Sequence, residues 1–178
     1  MTRGDRWHAR LLVGLLATLL VVVAAGSARA QIACPQPWSS GSPAVKAQHI
    51  FCGEINGKGR AVGFHSRPGG RNPETVADTE ERRPDPRRPG IYTISRFHIT
   101  EHGRTEIKTL STMFPDRCDK DAVIAAIQHA YAHGNRTEDG FSGPSGPSCM
   151  DDRGQGFRIR GFTGRQGGKV VIVTAYPD

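Results

Sequence analysis

The sequence predicts an α+β domain built on antiparallel β-sheet hairpins with one main helix. Three observations predict it: two pairs of β-forming segments, each closed by a short turn, and one amphipathic helix between the pairs. The pairs are Ile91 to Thr100 with Thr105 to Thr112, and Gly156 to Thr163 with Lys169 to Tyr176; the helix runs from Asp119 to His133. No internal repeat is visible.

The 178-residue chain opens with Arg3, Arg6 and Arg10, an apolar run from Leu11 to Ala25, and small residues ending Ala28-Arg29-Ala30. That order reads as a signal peptide over residues 1–30, cut after Ala30. The apolar run is about 15 residues long, short of the roughly 20 that a membrane-crossing helix needs. The expectation is a secreted or periplasmic protein with no stable membrane insertion after cleavage. Ile32-Ala33-Cys34 only loosely imitates a lipidation site, because Gln31 breaks the pattern. The leader takes four arginines and one aspartate with it, so the formal charge falls from +7 to +4. A mild basic excess is compatible with a polyanionic substrate and no more than compatible.

Residues 31–43 are rich in Pro, Ser and Gly and read as an N-terminal arm; residues 44–178 read as one domain. Cys34, Cys52, Cys118 and Cys149 all lie beyond the leader, and an even count in an oxidising compartment reads as two disulfides. Four cysteines allow three pairings, which the count does not choose between. Cys34 with Cys52 and Cys118 with Cys149 is favoured, since each pair staples neighbouring segments. None sits in a C-x-x-C, which weakens redox and zinc readings.

Within the domain, Ala44 to Phe51 reads as a short helix presenting His49. Asn56-Gly57-Lys58-Gly59 turns the chain into a strand from Arg60 to His65. From Arg67 to Gly90 five prolines and many charges predict a long surface loop. Glu101-His102-Gly103-Arg104 closes the first hairpin. Asp119 caps the helix, Asp121 suits its first turn, Val123, Ile124, Ile127 and Tyr131 form its apolar stripe, and Gly134 stops it. Gly140 to Gly156 reads as a second loop, and Gly164 to Gly168 as the turn of the last hairpin.

His49 and His65 sit beside small or polar residues, and two imidazoles brought together across a turn could act as general acid and general base, because their ordinary pKa lies near 6.5. His129 and His133, one helical turn apart, lack a third ligand and read as a solvated helix face. His98 and His102 flank a hairpin turn and read as surface residues. Arg82, Arg83, Arg87 and Arg88 could track an RNA backbone, but Glu80, Glu81 and Asp85 alternate with them, so a solvated loop reads equally well.

The string His49-Ile50-Phe51-Cys52-Gly53-Glu54, followed by Val62-Gly63-Phe64-His65, resembles the two-histidine core of EndoU-type endoribonucleases. Lys108 to Phe114 and Thr174-Ala175-Tyr176-Pro177 resemble the lysine strand and the Thr-x-Tyr-Pro ending of the same family, so the likeness runs from His49 to Pro177. The resemblance implies an EndoU-like, ribonuclease-A-type (BECR toxin) fold. It implies cleavage of RNA 3′ of uridine or another pyrimidine, leaving a 2′,3′-cyclic phosphate, with no cofactor required and the metal dependence open. It implies His65 as base, His49 as acid and Lys108 as phosphate-charge stabiliser, though the sequence itself does not settle which histidine is which. Tyr176 would pack on ribose or base, Thr174 would bond a base edge, and Ser111 or Thr112 would read the pyrimidine. RNA is the implied partner, with an immunity protein if the role is that of a toxin rather than scavenging of external RNA. A long charged loop and a small exported domain depart from the large toxins that often carry such modules. A non-catalytic binding module of the same fold and a zinc-dependent hydrolase are the competing readings.

Overall fold

In a computed structural model the described residues are 31–77, 79 and 81–178; the leader, Asp78 and Glu80 lie outside them. The elements in order are β1 (Ala44–Val45), α1 (Ala47–Cys52), β2 (Glu54–Ile55), β3 (Ala61–Val62), a 3-10 turn (Pro68–Gly70), β4 (Val76–Ala77), β5 (Arg82–Pro84), β6 (Tyr92–Glu101), β7 (Arg104–Met113), α2 (Lys120–His133), β8 (Asn135–Arg136), β9 (Gly140–Pro144), β10 (Arg158–Gln166) and β11 (Lys169–Pro177). The class is α+β with mostly antiparallel sheets and one main helix. Among the described residues no helix is long and apolar enough to cross a membrane.

Two larger sheets carry the fold. In one, the order is β1-β11-β10-β9-β8, with β1 parallel to β11 and the other pairs antiparallel. In the other, β6 is central, flanked by β4 and β5 on one side and β7 on the other. The β6–β7 and β10–β11 hairpins stand where alternation and turn residues put them. The helix likewise begins at its capping aspartate: the Asp119 side chain accepts from Ala122 N–H at 2.8 Å.

Five expectations change. The short helix drawn from Ala44 to Phe51 begins only at Ala47, because Ala44 and Val45 pair with β11 as β1. The turn drawn from Gly164 to Gly168 narrows to Gly167-Gly168, as β10 keeps its ladder through Gln166. The strand drawn from Arg60 to His65 shrinks to β3, because the backbone leaves the ladder at Gly63 (φ 79) and Phe64 (φ 57). The long loop holds β4 and β5, both pairing with β6 through backbone groups that proline and charge do not forbid at an edge. The loop drawn from Gly140 to Gly156 begins with β9, whose glycines are there for close approach: a methyl on Gly143 would collide with the Ala130 carbonyl of α2. Gly134 does end α2, yet its φ of −104° is ordinary. Its lack of a side chain serves the same tight contact, with Ser142 and Ala130 carbonyls where a Cβ would stand.

The core is in two parts. Val45, Ile50, Phe51, Phe114, Ile127, Phe141, Ile159 and Ile172 pack α1 and α2 against the first sheet. Phe64, Val76, Tyr92, Ile94, Phe97, Ile99 and Met113 form the second cluster on β6 and its neighbours. Disulfides join Cys34 to Cys52 and Cys118 to Cys149, with Cα separations of 5.9 and 5.6 Å, so the favoured pairing is the one present. The first ties the N-terminal arm to the last residue of α1.

Gly63→Ala should lower stability by about 2 kcal/mol or more, since alanine resists positive φ and its methyl would meet the His49 carbonyl oxygen. Gly57→Ala, where a Cβ meets nothing within 4 Å, should stay within about 0.5 kcal/mol of the parent. Urea unfolding midpoints of the two variants check the contrast, and equal midpoints would refute it.

Candidate active site

His49 lies on α1 with 9 % of its surface exposed, and His65 on the segment after β3 with 8 %. Their rings stand 6.1 Å apart. The end of α1 brings them together, because a helix cannot bond its own last carbonyls. Phe64 N–H donates to the His49 carbonyl at 2.7 Å, and His65 and Ser66 N–H groups donate to the Ile50 carbonyl at 2.7 and 3.1 Å. The His65 carbonyl in turn accepts from Phe114 N–H at 2.7 Å, tying the segment to the end of β7. Ile50 belongs to the first core cluster and Phe64 to the second. The histidines therefore sit at the seam between the two.

The two imidazoles have different supports. His49 Nδ1 is 3.0 Å from Glu54 Oε1, and since a carboxylate only accepts, Nδ1 carries the proton and Nε2 is left for other work. Lys46 Nζ clamps the same carboxylate at 2.7 and 2.8 Å. Glu54 is pulled down to about 2, mainly by the His49 hydrogen bond and with help from Lys46, against the opposing effect of burial. His65 Nδ1 instead faces the Thr112 carbonyl at 3.1 Å and Ser111 Oγ at 3.0 Å. Ser111 Oγ donates to the Phe64 carbonyl at 2.6 Å, so it accepts from His65, which again puts the proton on Nδ1. Burial first, then the charges of Lys108 and His49, hold His65 well below its ordinary value. It is a neutral ring with an open Nε2, the form a general base needs.

Lys108 Nζ donates to the Gly63 carbonyl and, at 3.1 Å, to Ser111 Oγ. Burial pushes it down to about 7. Regular alternation would put Lys108 and Ser111 on opposite faces of β7. They share a face because the buried side of the hairpin switches between Ile94 and Phe97, at Arg96, whose φ is 54°. Ile94 pairs with Ser111 and Phe97 with Lys108, one on each side of that switch.

Of the expected substrate-binding residues, Tyr176 stacks obliquely on His65 with centroids 5.1 Å apart. Tyr176 and Thr112 line an open cleft of about 370 Å³ together with Arg83, Arg88 and Tyr92. Ser111 is buried and turned to His65 and Lys108, away from that cleft. Thr174 shares the Tyr176 face of β11, and its buried hydroxyl has no hydrogen-bond partner among the described residues. The arginine cluster divides: Arg82 bonds Asp116 at 3.1 Å and lies over the Tyr92 ring at 3.7 Å, whereas Arg88 bonds Asp85 and the Asp178 carbonyl. His129 and His133 stack at 4.1 Å on the exposed side of α2. Among the described residues no group of three or more His, Cys, Asp or Glu side chains is placed to hold a metal ion.

Two residues of the site carried no role in the sequence reading. Glu54 stands inside the His49 motif, five residues on, and a carboxylate so near a candidate histidine was the available signal. Asp116 gathers Tyr92, Arg82 and Arg67 beneath the cleft, and its local sequence, Pro115-Asp116-Arg117, gives no sign of it. Burial, with the Asp116 carboxylate beside it, holds the Tyr92 phenol well above its ordinary value.

Compared with known proteins, residues 44–178 match the family described as bacterial EndoU nuclease. No curated protein and no solved structure matches the chain.

Because Glu54 titrates near 2 rather than at its ordinary 4.5, its contribution to stability is complete above pH 4.5 and drains away as the pH falls toward 2. Between those values the urea midpoint of the parent should drop more steeply than that of Glu54→Gln. Parallel curves would mean that the Lys46–Glu54–His49 contact does not hold in solution.

Proposed function

The chain belongs to the bacterial EndoU nuclease family, and from that premise we propose that it is an exported endoribonuclease cutting RNA 3′ of uridine or another pyrimidine. One observation carries the reading. Two imidazoles 6.1 Å apart are supported so differently that one suits proton removal and the other proton delivery. His65 Nε2 takes the proton of the ribose 2′-hydroxyl as that oxygen bonds to the adjacent phosphorus. The bond from phosphorus to the 5′-oxygen breaks, and His49 delivers a proton to that oxygen from Nε2 while Glu54 keeps hold of Nδ1. The product is a 2′,3′-cyclic phosphate. Lys108, held beside His65 through Ser111, offsets charge on the nonbridging oxygens. Its protonated form is favoured when a phosphate dianion or monoanion sits beside it.

Tyr176 and Thr112 supply the walls for the pyrimidine nucleotide, with Thr112 as the hydroxyl that reads the base. Ser111 serves as the support of the base rather than as a reader. The reaction draws on no cofactor in this scheme. Export to the periplasm or beyond the cell is supported by the two disulfides, which persist where thiols are oxidised.

His49→Ala and His65→Ala should each lower turnover on a uridine-containing RNA by roughly 100-fold or more, the scale of losing a general acid or base. Replacing the ribose 5′ to the scissile phosphate with 2′-deoxyribose should abolish cleavage and the cyclic end together. Cleavage of that deoxy substrate at the parental rate would exclude the mechanism. The acid limb of kcat/KM should fall below pH 6.5, since His65 resists protonation in the fold. A limb at or above that value would place the base elsewhere.

A further inference from the structure

The outer face of the first sheet continues away from Tyr176 in a way the reaction at the histidines does not use. Residues directly opposite on antiparallel strands share a face. Tyr176 is opposite Arg160, Thr174 is opposite Phe162, and on the next strand Ser142 and Gly140 are opposite Arg160 and Phe162. The alternate residues Ile159 and Ala175 are buried in the core, and Gly161 between them on the paired strands lies against the Phe141 ring. Phe162 is 41 % exposed, an aromatic ring laid on a solvent-facing sheet. The register slips immediately after it, between Phe162 and Thr163, and such irregularities re-aim the side chains beside them. Arg160 is exposed and makes no ion pair among the described residues. Arg158 lies on the same face, donating to Ser142 Oγ at 2.9 Å. Beyond Phe162 opens a cleft of about 200 Å³ lined by Asn135, Thr137, Asp139, Arg160 and Phe162.

We infer that this face is a platform for a nucleotide flanking the cleaved one, with the base stacked on Phe162 and the linking phosphate on Arg160. The inference rests on the endoribonuclease reading and extends it from one nucleotide to a track. Diagonal neighbours on paired strands stand about 7–8 Å apart, which sets Phe162 one short stride from Tyr176 along a single strand. Aromatic rings hold successive bases of single-stranded nucleic acid by stacking, and arginine beside them meets the backbone. Asn135, Thr137 and the Asp139 carboxylate face the edge of a stacked base, the carboxylate able to accept from an exocyclic amino group. The occupant is therefore single-stranded RNA continuous with the substrate in the histidine site.

The test compares a uridine-containing dinucleotide with the same step extended by two nucleotides on its 5′ side, its 3′ side or both, in the parent, Phe162→Ala, Phe162→Tyr and Arg160→Ala. Binding of uncleavable versions, with 2′-deoxyribose at the scissile step, is read by fluorescence anisotropy. The ratio of kcat/KM on an extended substrate to that on the dinucleotide should fall roughly tenfold in Phe162→Ala. It should recover in Phe162→Tyr, which keeps the ring. Arg160→Ala should weaken binding of the extended oligonucleotide and lower its salt slope by about one. Equal losses on dinucleotide and extended substrates, or no loss on either, would overturn the platform. A parent that binds the extended oligonucleotide with these contrasts yet cleaves nothing would sink the endoribonuclease reading and leave the platform standing.

Discussion

Everything in the site depends on the bare carbonyls at the end of α1. A helix of six residues has little chance of standing alone, and its last peptide oxygens need donors from outside it. The chain supplies them from Phe64, His65 and Ser66, and Thr75 Oγ1 adds a donor to the Cys52 carbonyl at 2.7 Å. These bonds set the distance between the histidines and join the two halves of the core. Glycine at position 63 is the condition for them, because only there can the second segment lie against the helix without a side chain between.

From one backbone junction the structure makes two unlike imidazoles. His49 is given a carboxylate that is itself clamped by a lysine; His65 is given a carbonyl, a hydroxyl and a nearby cation. The first environment carries negative charge beside the ring, and the second carries none. Ser111 joins three parts of the site: its one oxygen touches His65, Lys108 and the backbone of the histidine segment. The positions of His65 and Lys108 are thus linked through a single hydroxyl.

Much of this was legible in the sequence. The β6–β7 and β10–β11 hairpins follow from alternating β-formers around glycine turns, and α2 from its stripe and its capping Asp119. The histidines could be read because small or polar neighbours flank them and because their two strings resemble the EndoU core; the close approach at Gly53 and Gly63 emerged only with the fold. What stayed hidden has physical reasons. Edge strands such as β4 and β5 are held by main-chain bonds that any residue can make, and β9 is written in glycine, serine and proline because α2 presses on it. The switch of face at Arg96 is set by the sheet rather than by a glycine, so nothing in the letters announces that Lys108 and Ser111 meet. Asp116 reaches Tyr92, Arg82 and Arg67 only through tertiary folding.

The bond between Cys34 and Cys52 ends on the very residue whose carbonyl closes α1. In a compartment that keeps thiols reduced, this crosslink is absent, and the histidine-bearing turn must be ordered by packing and hydrogen bonds alone. Oxidation shortens the list of conformations open to the unfolded arm and leaves the folded one untouched. The order of the turn that carries both histidines is thereby coupled to redox conditions: the chain acquires its full rigidity only where thiols are oxidised.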